Sequence, residues 1–323
     1  MRTTAFLFSC LMLTLAGCPA PAPGHDAALP PPNDTNAPPT DTNSTGMDMG
    51  HMVTGTPISL HDLVDPTTSP AHGMPANTRI TVQLTDTNLV ALTPRLFISQ
   101  STSSMRCLFA IWVGTSAGGD YSGIEVTDDF LPATGMDCFS TPAHVIPDTV
   151  NIGDSITMLA GDFEDYCPSG STCPPDTSQE LGVSTGTFVV GTPSGSMPTA
   201  TTVQISDITG MMTTLGPRDM ALQNALVTIE NTVVVVDPEH SNHNVMMVAA
   251  MGTTTPVMAI DMTKYNGVGA QRAFLCNATS GMAVGSITGV LSYSFGQWVI
   301  QPRQSADLPG IMASTDAGTC PDA

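Results

Sequence analysis

The chain has 323 residues, 28 of them acidic and 8 basic, for a formal charge of −20 with histidine neutral. So few lysines and arginines cannot neutralise a phosphate backbone, and aromatics at 5% leave little on which bases could stack, so nucleic acid is not an expected partner. The sequence carries no nicotinamide, phosphate-loop or zinc-hydrolase signature.

At the N-terminus Arg2 precedes an apolar run from Ala5 to Leu15. That run is too short to span a bilayer as a helix of about 20 residues but suits the core of an export signal. It ends in Leu15-Ala16-Gly17-Cys18, which resembles the bacterial lipobox. The resemblance implies a signal peptide over residues 1–17, cleavage before Cys18 and lipidation of its thiol. Pro19, where an aspartate would retain the protein at the inner membrane, implies the outer membrane, on its periplasmic or extracellular face. The membrane, reached through this lipid, is the first expected partner.

Residues 18–57 read as a tether. Nine of the 27 prolines fall in it, among Asn, Asp, Thr and Gly, a composition that cannot offset the entropy of ordering a chain. Asp41-Thr42-Asn43-Ser44-Thr45-Gly46 begins like a calcium loop, but Met52 stands where a closing glutamate is required. Met47-Asp48-Met49-Gly50-His51-Met52 places three thioethers and an imidazole within six residues, a donor set suited to Cu(I). It resembles the Met/His segments of bacterial copper-handling proteins, with Met47, Met49, His51 and Met52 as ligands; a chain with 20 methionines also produces such a run by chance.

From Ile58 onward the chain is written twice. Val82-Gln83-Leu84-Thr85-Asp86-Thr87 matches Val227-Thr228-Ile229-Glu230-Asn231-Thr232 in pattern at an offset of 145, and Leu60-His61-Asp62-Leu63 meets Ile205-Ser206-Asp207-Ile208 at the same offset. Ser155-Ile156-Thr157 meets Ser286-Ile287-Thr288 at 131. Period-two segments rich in β-branched residues predict strands at 79–90, 108–113, 123–126 and 155–160, and again at 227–236, 244–250 and 286–293. Short helices are expected at Leu60–Val64 and Arg218–Asn224. The fold class is all-β, with domains over 58–198 and 199–323, the second with a short C-terminal tail. A bulge at Asp86-Thr87 and at Asn231-Thr232 would let one strand serve both sides of a small barrel. The closing segments, Gly-Asp-Ser-Ile-Thr at 153–157 and Gly-Ser-Ile-Thr with its hairpin at 285–303, look like the OB-like barrels found beside secreted bacterial nucleases and repeated in surface lipoproteins. That resemblance implies two tandem five-stranded Greek-key barrels and no particular function.

Excluding Cys10 and Cys18, six cysteines remain, an even number in an exported chain, which argues for disulfides although six allow 15 pairings. If each copy keeps its own bonds, the pairs are Cys107–Cys138, Cys167–Cys173 and Cys276–Cys320. Asp162, Glu164 and Asp165 form the densest acidic group, either a weak divalent-cation (calcium) site or a solvated loop. His240 and His243, near Met246 and Met247, extend the copper possibility.

Two Gly-x-Ser-x-Gly stretches, 114–118 and 182–186, lack the following helix that a nucleophile elbow needs. Gly153-Asp154-Ser155 resembles the first block of Gly-Asp-Ser esterases, which implies Ser155 as nucleophile, His240 as its base and Asp237 as the orienting carboxylate. Against it, Ser155-Ile156-Thr157 recurs at Ser286, and that family's Gly-x-Asn-Asp block and alternating helices are missing. The expected function is therefore a non-enzymatic, lipid-anchored surface protein whose barrels bind a protein or glycan or act as a spacer, with no cofactor. A copper-binding lipoprotein comes second and an esterase third.

Overall fold

The computed structural model describes residues 55–310 apart from 102, 140–143, 168–172, 174, 177, 194–196, 209–216, 235–244, 256, 262–279 and 295–296. The described chain is mostly strand and forms two sheets.

The first sheet contains β1 (Thr56–Ile58), β2 (Ile80–Leu84), β3 (Leu89–Ala91), β4 (Leu96–Gln100), β5 (Cys107–Thr115), β6 (Gly123–Phe130), β7 (Asp154–Asp165) and β8 (Gln179–Pro193). It begins two residues inside the expected tether, because Thr56–Ile58 pairs in parallel with Val82–Leu84. The helix α1 (Leu60–Val64) forms where expected; Ser59 caps it by accepting the Asp62 N–H, and Leu60, Leu63 and Val64 are buried in the first core. Alternation in β2 sends Val82 and Leu84 into that core with Ile111, Val113, Ile124, Val126 and Phe163.

The single strand expected over 79–90 is two strands. The chain breaks between Leu84 and Leu89, where the Asp86 carboxylate accepts the Leu60 N–H at the start of α1. The two pieces together still reach both neighbours that one bulged strand would have served. β2 and β3 both pair antiparallel with β7, and β3 also pairs with β5. The path then runs β5–β6–β8, with β6 parallel to β8, and β8 returns to β7.

The second sheet contains β9 (Thr201–Gln204), β10 (Leu226–Val234), β11 (Val245–Ala250), β12 (Met258–Asp261), β13 (Ala283–Ser294) and β14 (Gln297–Gln301), with a short helix α2 (Pro217–Ala221) before β10. Here the first long strand stays continuous. A register shift falls between Ile229 and Thr232, and Asn231 takes a left-handed φ of 61°. Val203, Val227, Ile229, Met246, Ile287 and Trp298 lie in its core.

The offset read from the sequence is kept in space. Thr56 stands opposite Val82 in parallel pairing, and Thr201 stands opposite Val227 in the same way. Gly153, just before β7, and Gly285, the third residue of β13, both have left-handed φ, 86° and 78°, a conformation glycine adopts without a Cβ clash.

The two sheets are joined by a buried seam. Trp112 on β5 packs with Val90, Leu92 and Leu96 of the first sheet region and with Leu226 and Val290 of the second. Its indole N–H donates to Asn224 Oδ1 at 3.1 Å, and the Asn224 amide donates to the Gln179 carbonyl at 3.1 Å. Around this pair the Tyr121 N–H bonds the Ala221 carbonyl, the Thr199 N–H bonds the Ser116 carbonyl, and Arg218 is paired with Asp120.

Candidate functional site

One end of the first barrel concentrates aromatic, cationic and carboxylate groups. In the β5–β6 ladder Phe109 stands opposite Asp128, and Cys107 opposite Phe130. Because side chains alternate along a strand, Asp128 and Phe130 face the same way as the core residues Ile124 and Val126. The Cys107–Cys138 disulfide then folds the segment after β6 back over this end. Phe97 and Phe139 approach to 5.1 Å between ring centroids, Phe109 and Phe130 stack at 5.9 Å, and the Arg95 guanidinium lies 4.4 Å from the Phe109 centroid. Four of the chain's ten phenylalanines are gathered here, so the scarcity of aromatics overall hides a local concentration.

Asp128 is fully buried. Its Oδ2 accepts the N–H groups of Val145 (2.7 Å) and Ile146 (3.1 Å), while Arg95 Nη1 donates to the Ile146 carbonyl at 3.1 Å. Together these groups clamp the segment 144–146 across the barrel end. Asp128 Oδ1 and His144 Nδ1 are both buried without a hydrogen-bond partner. Burial raises the Asp128 carboxyl above its ordinary value, against the opposing pull of the two backbone N–H groups. Burial, then the Arg95 charge, lowers His144. The cluster therefore ties 145–146 to the end of the barrel, while Phe139, packed on Phe97 and Phe109, is 67% exposed.

Asp128→Ala strands two N–H donors, that of Ile146 buried and that of Val145 part-buried, and is expected to cost about 1–3 kcal/mol in chemical denaturation. Asp128→Asn keeps an oxygen for them and cannot ionise. A carboxyl raised on folding contributes stability that is complete below its unfolded value and is lost as pH rises through the folded one. The melting temperature of Asp128→Asn should therefore gain on that of the unchanged protein as pH rises above 3.8; a constant difference would remove the titration argument.

The other sequence-derived sites are placed as follows. The disulfides Cys107–Cys138 and Cys167–Cys173 are formed, the second in the β7–β8 connection. Cys18, Met47, Met49, His51, Met52, Asp237, His240, His243, Cys276 and Cys320 lie outside the described residues. Met246 is buried in the second core. Ser155 sits on β7 with its hydroxyl donated to the Thr192 carbonyl at 2.7 Å. Residues 114–118 pass from β5 through a turn into β6, and 182–186 lie within β8, so neither stretch leads into a helix.

The acidic group at 162–165 is not a solvated loop. β7 runs on to Asp165, beyond the expected 155–160, and uses all three carboxylates internally. Asp162 accepts the Thr81 hydroxyl, buried Glu164 pairs with Arg79 at 2.8 Å, and Asp165 accepts the N–H groups of Asp176 and Ser178. Among the described residues no three His, Cys, Asp or Glu side chains come together as a metal site.

Asp128, His144 and Arg95 were invisible as a site because they are separated in sequence and embedded in no motif. The usable signal was the pair Cys107 and Cys138, each two residues after a methionine and one residue from Arg106 or Phe139. No protein-family model matches this chain, and neither a curated protein nor a solved structure is significantly similar to it.

Proposed function

We propose that the chain is a non-enzymatic, lipid-anchored protein of the bacterial outer membrane, whose two OB-like barrels, over 58–198 and 199–323, bind a protein or glycan or act as a spacer. The observation that carries the proposal is the strand order shared by the two sheets. Taking β2/β3, β5, β6, β7 and β8 as strands one to five, the order is 1-2-3-5-4 and back to 1, with three and five parallel. β10, β11, β12, β13 and β14 repeat it, with β12 parallel to β14. That shared order supports the reading of each unit as an OB-like five-stranded Greek-key barrel, a design that hosts unrelated functions, so it argues for a module and names no ligand.

Anchorage rests on Leu15-Ala16-Gly17-Cys18. Acyl chains on Cys18 contribute about 0.8 kcal/mol for each buried methylene, so two or more would hold the protein stably at a bilayer. In a bacterial host, Cys18→Ala is expected to shift the protein from the membrane to the soluble fraction. Equal partitioning of the two forms would sink the lipoprotein assignment.

A further inference from the structure

We infer that Asp128 and His144 form a proton-binding site, a buried acid–base pair that holds one proton between its members at the end of the first barrel. Asp128 has no exposed surface, and its two oxygens are used unequally. Oδ2 accepts both clamping N–H groups, at 2.7 and 3.1 Å, whereas Oδ1 is buried and has no hydrogen-bond partner. His144 immediately precedes the first clamped residue. Its ring lies 5.3 Å from that of Phe130 and 6.0 Å from that of Phe109, the residue opposite Asp128 in the ladder. Its Nδ1 is likewise buried and bare. Native structures seldom leave buried polar atoms unpartnered without a use, and here an acid and a base are left so in one cluster. A proton taken up between Oδ1 and Nδ1 gives each a partner and leaves the pair uncharged among aromatic rings.

The surrounding charges set the count at one. Arg95, in the connection between β3 and β4, donates Nη1 to the Ile146 carbonyl at 3.1 Å and acts electrostatically on both members of the pair. Asp148, just beyond the clamp, acts on His144. Asp129, the next residue on β6, alternates to the other side of the strand and is paired with Arg106. From β5 the pair meets the uncharged ring of Phe109. With no proton the pair is an anion, which burial disfavours. With two, a protonated imidazole stands beside the Arg95 guanidinium and only Asp148 offsets them. A single proton avoids both costs. His144 as a whole is only half-buried, so its ring is the member nearer solvent and the path by which a proton reaches the sealed carboxyl. An ionised carboxylate accepts N–H groups more strongly than a protonated one, so the same site makes the fastening of 145–146 responsive to pH.

The test follows the Asp128 carboxyl carbon and the His144 ring nitrogens by nuclear magnetic resonance as the pH is lowered. Groups that interact by more than about one pH unit titrate in shared steps, so both residues should report the same two midpoints. His144→Phe keeps a ring against Phe109 and Phe130 and removes the base. In that variant the Asp128 midpoint should move by about one pH unit or more. It moves down where Asp128 holds the shared proton, because the acid loses its acceptor, and up where His144 holds it, because a neighbouring cation is gone. Circular dichroism shows whether the variant is folded; for an unfolded variant the two-midpoint measurement on the unchanged protein decides alone. One separate midpoint for each residue in the unchanged protein, or an Asp128 midpoint unmoved in the folded variant, overturns the inference.

Discussion

Trp112→Ala is expected to split a single unfolding transition into two and to destabilise the first barrel by about 3–5 kcal/mol, the usual loss for a large buried aromatic. Trp112 has no exposed surface and packs against residues from both sheets. Its removal empties that seam and takes from Asn224 Oδ1 the indole donor, while the Asn224 amide stays bonded to Gln179. Gly123→Ala tests the same joint without deleting a contact. A Cβ at Gly123 would lie 1.9 Å from the Asn224 carbonyl oxygen, a backbone atom with no freedom to swing aside, so the sheets must part. Calorimetry of the two variants is the measurement. One unchanged transition in both would show that the seam does not couple the sheets.

Cys107→Ser with Cys138→Ser carries the second large effect. The bond closes a segment with a sequence separation of 31, for which loop-closure entropy predicts a stabilisation of about 3–4 kcal/mol. Both cysteines are buried with Phe109 and Phe130, so their loss also loosens the packing beneath Phe139. Equilibrium denaturation of the double variant should show that loss in oxidising buffer. The unchanged protein should approach the variant on addition of a dithiol. The Cys167–Cys173 bond closes only a separation of 6, and Cys167→Ser with Cys173→Ser should cost less. A larger effect from the short loop would contradict the entropic account.

Local chemistry made much of this protein legible in advance. The repeat at 145 residues survives because each copy must bury one face of the same strands, and a period of two writes that face into the sequence wherever the fold recurs. Leu60–Val64 forms a helix as predicted, with Ser59 as its cap, because cap and apolar spacing agree within six residues. Cys167 and Cys173 could be paired by proximity along the chain.

What lay beyond reach depended on distant neighbours. Leu108-Phe109-Ala110-Ile111-Trp112-Val113 reads as one apolar run, and nothing local says that Ile111 and Val113 face the barrel core while Trp112 faces a second sheet. Trp112 and Asn224 are 112 residues apart, and neither has a motif that names the other. The same holds at the barrel end, where Asp128 meets the backbone of Val145 and Ile146. The acids at 162–165 read as a cation site or a solvated loop because their partners Thr81, Arg79 and Ser178 come from other segments. Periodicity records whether a side chain is buried, through the hydrophobic effect, which has no direction. Which group it is buried against is set by hydrogen bonds and packing contacts that require a particular partner at contact distance, and the tertiary structure alone supplies that partner.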